Sequence, residues 1–203
     1  MALRIENLSK AFGKKAVLNR FSLNLPDSGV VVLMGLSGCG KTTLLRLLAG
    51  LERPDDGKIF LPEDLRLSMV FQEDRLLEEL TARGNLLAVL ERGREESADL
   101  WLERMGIADA AGLFPREMSG GMRRRLANAR AMAYGGNVTL LDEPFQGLDV
   151  RTREQLYHHM FDSGELSGLV VIITHDRQEA LRVGRRLVVF DGPPLAVIED
   201  LLL

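Results

Sequence analysis

The sequence predicts an α/β fold: a mostly parallel sheet, a small antiparallel β subdomain near the N-terminus and an inserted helical subdomain. Three observations carry that expectation. The runs Val30–Met34, Val138–Leu141 and Leu169–Ile173 are apolar almost throughout, as strands buried on both faces of a parallel sheet must be. Apolar residues then recur at Leu44, Leu45, Leu47, Leu48 and Leu51, the spacing of a helix packed on such a sheet. Between Glu73 and Tyr134 the pattern becomes helical and carries charged stretches such as Glu91–Glu96.

Taken in order, strands are expected at Leu3–Leu8 and Phe21–Leu25, where alternation is stronger and suits an antiparallel pair. Val30–Met34 follows, then Lys58–Leu61 and Arg66–Phe71, joined by a tight hairpin through Pro62-Glu63-Asp64. The remaining strands fall at Thr139–Leu141, Leu169–Thr174 and Leu187–Phe190. Ala98, Trp101, Leu102 and Met105 are spaced by three and four, so Trp101 reads as packing on a helix. The chain, residues 1–203, is expected to form one domain with a helical insertion over roughly 73–134.

Composition narrows the function classes. Hydrophobic residues make up 46% of the chain, enough for a substantial core, and the net charge of −3 argues against nucleic acid as a partner. A single cysteine precludes an internal disulfide and fits a reducing compartment. The first residues carry charges where a signal peptide needs its apolar stretch. No apolar run approaches the ~20 residues that cross a bilayer.

Gly35-Leu36-Ser37-Gly38-Cys39-Gly40-Lys41-Thr42 reads G-x-x-x-x-G-K-[ST], between an expected strand and an expected helix. Its glycines let several backbone N–H groups converge on phosphate oxygens, and the helix directs its positive end to the same place. Lys41 can reach the β- and γ-phosphates, while the Thr42 hydroxyl can ligate Mg²⁺, with Thr43 beside it in the first turn. The loop therefore predicts nucleotide binding. Cys39 sits between two glycines at a helix N-terminus beside Lys41, which would make it a reactive thiol or merely a small residue fitting a tight loop.

Val138–Leu141 ends in Asp142-Glu143-Pro144. Two adjacent carboxylates after an apolar strand suit a metal ligand, Asp142, beside a general base, Glu143. A solvated acidic turn is the plainer alternative, and the phosphate loop upstream weighs against it. Ser119 is a good N-cap for the helix that follows, with Gly120 and Gly121 exposing backbone N–H groups; alone, this segment is equally an ordinary capped helix with a basic face.

With these motifs in this order, the chain resembles the ATP-binding cassette family over nearly its full length. Ser119-Gly120-Gly121 is similar to the family's signature loop, Gln72 to its Q-loop glutamine, Gly147-Leu148-Asp149 to its D-loop and His175 to its switch histidine. Phe12 sits where the family stacks an aromatic ring on adenine. Met122 replaces the signature glutamine, and the stretch from Lys41 to Gln72 is shorter than usual.

The resemblance implies a P-loop NTPase core and an ATPase that uses ATP and Mg²⁺. Lys41, Gln72, Glu143 and His175 would be catalytic; Thr42, Gln72 and Asp142 would hold the metal. Phe12, Gly35, Ser37, Gly38, Cys39, Gly40, Lys41, Thr42 and Thr43 would bind the nucleotide, with Ser119, Gly120, Gly121 and Asp149 closing on it. It also implies a head-to-tail dimer with a second copy, a separate integral membrane permease and an extracytoplasmic solute-binding protein. The chain would then be cytoplasmic, peripheral on the inner face of the membrane. Pro144-Phe145-Gln146-Gly147-Leu148-Asp149 is similar to the Pro-Phe-x-x-Leu-Asp of bacterial importer cassettes, and Val70–Leu77 and Phe190–Pro194 resemble the nitrate, sulfonate and taurine group, so the implied role is import of a small solute, with an anion as one option. The alternatives are the ATPase of an exporter or lipoprotein-release system, or a non-transport cassette acting on nucleic acid or ribosomes.

Overall fold

The computed structural model describes residues 3–162 and 168–203. Two compact units are present, one formed by Met1–Met69, Asn137–Glu143 and Ser167–Leu203, the other by Val70–Gly136 and Pro144–Leu166.

The first unit contains two sheets. Strands β1 (Arg4–Phe12), β2 (Lys15–Asn24) and β4 (Asp56–Phe60) form a three-stranded sheet in the order β2-β1-β4, with both pairings antiparallel. The six-stranded sheet has the order β5-β6-β7-β3-β8-β9. Its members are β3 (Gly29–Gly35), β5 (Leu67–Val70), β6 (Val138–Asp142), β7 (Leu169–Ile173), β8 (Arg186–Asp191) and β9 (Ala196–Leu202). Pairing is parallel from β6 through β7 and β3 to β8, and antiparallel between β8 and β9. Every residue of β6 and β7 is buried, which explains their unbroken apolar character. The exceptions are Asp142, which ends β6, and Thr139, whose hydroxyl lies 2.9 Å from that of Ser68 in a buried pair. Helix α1 (Lys41–Leu48) buries Leu44, Leu45, Leu47 and Leu48 in a core shared with Val31, Leu33, Leu140 and Val171.

The expected hairpin at Pro62-Glu63-Asp64 does not form. β4 pairs with β1, while β5 joins the other sheet beside β6, so the intervening segment crosses from one sheet to the other. Asn137 secures that crossing: its side chain accepts from Arg66 N at 2.8 Å and donates to Asp64 O at 2.9 Å. Alternation shows which face of a strand is buried but not which strand lies beside it. The sequence reading also left Ala196–Leu202, the edge strand β9, unassigned.

The second unit is helical. It contains α2 (Ala82–Leu87), α3 (Glu95–Arg104), α4 (Gly120–Tyr134) and α5 (Val150–Tyr157), and so includes a segment beyond 73–134. α3 buries Ala98, Trp101 and Leu102; α4 buries mainly small apolar residues and ends at left-handed Gly135. Arg83 ties α2 to α3 by a forked pair with Asp99, at 2.7 and 3.0 Å.

Candidate nucleotide site

Strand register assembles the chemistry of the first unit. Leu33 and Asp142 both pair with Ile173, so β3, β7 and β6 end at one level. The phosphate loop leaves β3 there, Glu143 leaves β6 and His175 leaves β7. Glu143 N donates to Ile173 O at 3.0 Å, and Thr174 N donates to Leu33 O at 3.3 Å. The carboxyl edge of parallel strands is where open α/β sheets bind ligands.

Gly35 is fixed by close approach: a Cβ there would lie 2.4 Å from Phe190 O on the neighbouring strand. Beyond it Leu36, Ser37 and Gly38 are exposed, while Cys39, Gly40 and Lys41 are buried. Lys41 Nζ donates to Gly35 O at 2.8 Å and Leu36 O at 2.9 Å, so the ammonium group sits inside the curl of the loop. Thr42 is exposed in the first turn of α1, with Thr43 half-buried beside it. Cys39 is not the accessible thiol that its position suggests. It is 0% exposed in the apolar core, where its sulfur lies 3.6 Å from Lys41 Nζ.

Asp142 is buried as the last residue of β6. Glu143 follows with φ of +50°, a left-handed conformation uncommon outside glycine and a strain that clusters at functional sites. Its Oε1 lies 2.6 Å from His175 Nε2; the carboxylate side chain is 12% exposed and the imidazole 42%. Among the described residues no group of three or more His, Cys, Asp or Glu side chains is arranged to hold a metal. The Thr42 hydroxyl and Asp142 carboxylate are nonetheless hard oxygen donors, the small set with which Mg²⁺ is held when phosphates and waters complete its shell.

Phe12 ends β1 and is 49% exposed, with Lys10 Nζ 5.2 Å from its ring centroid. One face is therefore engaged by a cation and much of the ring remains accessible.

The second unit carries the other site residues. Ser119 and Gly120 are exposed at the start of α4, where Ser119 Oγ accepts from Met122 N at 3.3 Å. The cap uses only the backbone of Met122, so replacement of the glutamine leaves it intact. A Cβ on Gly120 would meet nothing within 4 Å in this chain, and one on Gly121 only Leu148 Cδ2 at 3.5 Å. Asp149 caps α5, accepting from Thr152 N at 3.0 Å and Thr152 Oγ1 at 2.7 Å, and the hydroxyl bond holds its carboxyl below the usual range. Gln72 is exposed in the segment that follows β5.

Sequence reasoning missed Arg124, which it placed on a basic helix face. The residue is 8% exposed and donates to Phe71 O at 2.7 Å and, through its other terminal nitrogen, to Gln72 O. No signal in the sequence marked it, because it stands between Arg123 and Arg125.

A model of the ABC transporter family matches residues 18–146. The sulfate/thiosulfate import ATP-binding protein CysA of Mesostigma viride is 36% identical over 208 residues, covering 95% of this chain and 60% of that protein. The probable CysA of Chlorella vulgaris is 37% identical over 95% of this chain and 88% of its own length. The aliphatic sulfonates import ATP-binding protein SsuB 1 of Shouchella clausii is 35% identical over 99% and 82%. A solved dimeric ATP-binding cassette in a post-hydrolysis state, bound to ADP and Pi, superposes with a TM-score of 0.84 at 27% identity, covering 98% of both chains. The chain spans about 60% of the length of the first of these relatives. On these grounds the chain belongs to the ABC transporter family.

Proposed function

We propose that this chain is the ATP-binding and ATP-hydrolysing subunit of an importer, working through a separate membrane permease. One observation carries the reading: a phosphate loop, a buried aspartate with a partly buried glutamate after it, and a histidine leave the carboxyl ends of three adjacent parallel strands, with Glu143 and His175 in contact. Lys41 and the loop N–H groups hold the β- and γ-phosphates, and Phe12 stacks on adenine. Thr42, Asp142 and Gln72 hold Mg²⁺, which neutralises phosphate charge when bound. Glu143 accepts the proton of the attacking water, and His175 fixes the carboxylate.

The exposed Ser119 and Gly120, together with Gly121, meet the γ-phosphate on a second copy of the chain, with Asp149 at the same interface. Glycine at position 120 is not required by contacts within this chain, which fits a position where a phosphate or partner approaches closely. The names of the relatives favour a sulfur oxyanion or sulfonate as the solute. A solute-binding protein completes such a system, and the permease places this chain at the cytoplasmic face. Among the described residues no helix is long and apolar enough to cross a membrane.

The test is Mg²⁺-dependent phosphate release by the purified chain, followed by uptake of labelled sulfate or taurine in cells carrying it with its permease. A Lys41→Ala chain should fail in both. Hydrolysis without uptake of either solute would retain the ATPase and reject the solute class.

A further inference from the structure

We infer that Arg124 is a positioning residue, which clamps the backbone of Gln72 onto α4 and thereby holds Gln72 in place for its role as a metal ligand. The inference rests on the role proposed above for Gln72. Arg124 uses both arms of its guanidinium on successive carbonyls, those of Phe71 and Gln72, and its Nε lies 3.3 Å from Asp74 Oδ1. Arg123 approaches the other oxygen of Asp74 at 3.6 Å. Arg130, two turns along α4, donates to Arg75 O at 2.7 Å and to Asn85 Oδ1 at 3.1 Å. Asn85 in turn accepts from Leu77 N at 2.8 Å and donates to Leu77 O at 3.0 Å. Arg75 also lies over the Phe71 ring at 4.1 Å.

The segment from Phe71 to Leu77 has neither helix nor strand to satisfy its backbone. Backbone carbonyls without a helix or strand need other donors, and arginines of α4 supply them at Phe71, Gln72 and Arg75. The N-terminus of that same helix is capped by Ser119. A change in the position of Gln72 must therefore displace α4 and Ser119, or break charge-assisted bonds. Arginine suits the task because its planar fork meets two acceptors at once, which a lysine ammonium on a flexible stem does not reproduce.

The test compares Arg124→Gln, Arg124→Lys, Gln72→Ala and the double variant Arg124→Gln/Gln72→Ala in the full chain. Mn²⁺ binding in the presence of ATP, read by electron paramagnetic resonance, reports the metal site without turnover; steady-state hydrolysis and thermal unfolding accompany it. Arg124→Gln should lower kcat roughly tenfold and weaken Mn²⁺ binding several-fold, the loss expected of one charge-assisted hydrogen bond. Metal-free ATP affinity should remain near wild type while Tm falls by a few degrees as the charge-assisted bonds are lost, and Arg124→Lys should fall between wild type and Arg124→Gln. The double variant should be no worse than Gln72→Ala, because one residue acts through the other.

Wild-type Mn²⁺ affinity in Arg124→Gln would overturn the inference while leaving the proposed function in place. So would full additivity in the double variant, or a parallel fall of Tm and metal-free ATP affinity. Wild-type metal binding and hydrolysis in Gln72→Ala would remove Gln72 from the site, and the inference with it.

Discussion

His175 Nε2 and Glu143 Oε1 lie 2.6 Å apart at the ends of two neighbouring strands, β7 and β6. The contact is local in space and distant in sequence, and both partners are set by backbone constraints. Glu143 is anchored by its N–H on Ile173 O and turned by a left-handed φ, while His175 follows Thr174, whose N–H is anchored on Leu33 O. A carboxylate so held cannot sample many rotamers. Fixed geometry of this kind lets a general base act without reorganising during the reaction.

Glu143→Gln keeps the size and much of the hydrogen bonding of the side chain but removes the proton acceptor. Hydrolysis should fall by about 10²–10⁴, the usual contribution of a general base. Lys41, Thr42 and Asp142 remain, so ATP binding should survive. Phosphate release and equilibrium ATP binding, measured on the same preparation, check both outcomes. A variant that hydrolyses ATP normally would remove Glu143 from this role.

Phe12→Ala should weaken ATP binding several-fold, because a stacked aromatic contributes about 1 kcal/mol. The ring is half exposed at the end of β1, so its loss should leave the fold intact. Titration with a fluorescent ATP analogue, alongside thermal unfolding, separates affinity from stability. Unchanged affinity would make the ring an ordinary surface residue.

Cys39 should alkylate slowly, and at the same rate with or without Mg-ATP. Its side chain is buried in the apolar core, so reagent access requires local opening of the loop. Mass spectrometry of iodoacetamide labelling over time checks this. Rapid labelling that ATP suppresses would restore the reactive-thiol reading.

Much of this architecture is legible because burial on both faces leaves a strong mark. The runs at Val30–Met34, Val138–Leu141 and Leu169–Ile173 could hardly be other than central strands, and they carry the site. β9 leaves no such mark. It lies at the sheet edge with nearly every residue exposed, so neither an apolar run nor alternation marks it. Both readings of Cys39 stay open in the sequence because the loop motif indicates helix-end potential but not which way a side chain faces; burial favours the small-residue reading. Arg124 was missed for a related reason: a triple arginine reads as a solvated face until the carbonyls it grips are known.

Asp200→Asn tests the attachment of that edge strand. Arg186 makes a forked pair with Asp200 at 2.7 Å on both arms, and its remaining donor reaches Asn24 O at 2.7 Å. The Arg186 hydrogen bond holds the Asp200 carboxyl below its ordinary value of 3.8. A depressed carboxylate contributes stability that is complete above its unfolded value and lost as pH falls through the folded one. Because the pair is partly exposed it contributes no more than about 1 kcal/mol. Asp200→Asn should therefore lower Tm at neutral pH, by no more than about 2–4 °C. The gap should close as the pH falls through the depressed folded value, somewhere below 3.8, where the wild-type carboxyl becomes protonated too. A gap that persists in acid would mean that packing, not charge, is what the substitution disturbs.

Ser119→Arg, placed in the Glu143→Gln background, tests whether a second copy completes the site. If ATP bridges two chains, Glu143→Gln alone should run as a dimer in Mg-ATP and as a monomer in ADP, because unhydrolysed ATP keeps the bridging charge. Ser119 is exposed, so an arginine there need not disturb the chain's own packing, but it fills the space that a γ-phosphate on the partner must enter. The substitution also removes the hydroxyl that caps α4, a loss of about 1 kcal/mol that could weaken a dimer by itself. Ser119→Ala is the control, since it removes the cap without adding bulk. Size-exclusion chromatography with light scattering should show the Ser119→Ala double variant still dimerising, at higher protein or ATP concentration. The Ser119→Arg double variant should stay monomeric at every concentration tested. Equal behaviour of the two would assign the effect to the cap, and the exposed signature loop would then have no demonstrated role between subunits.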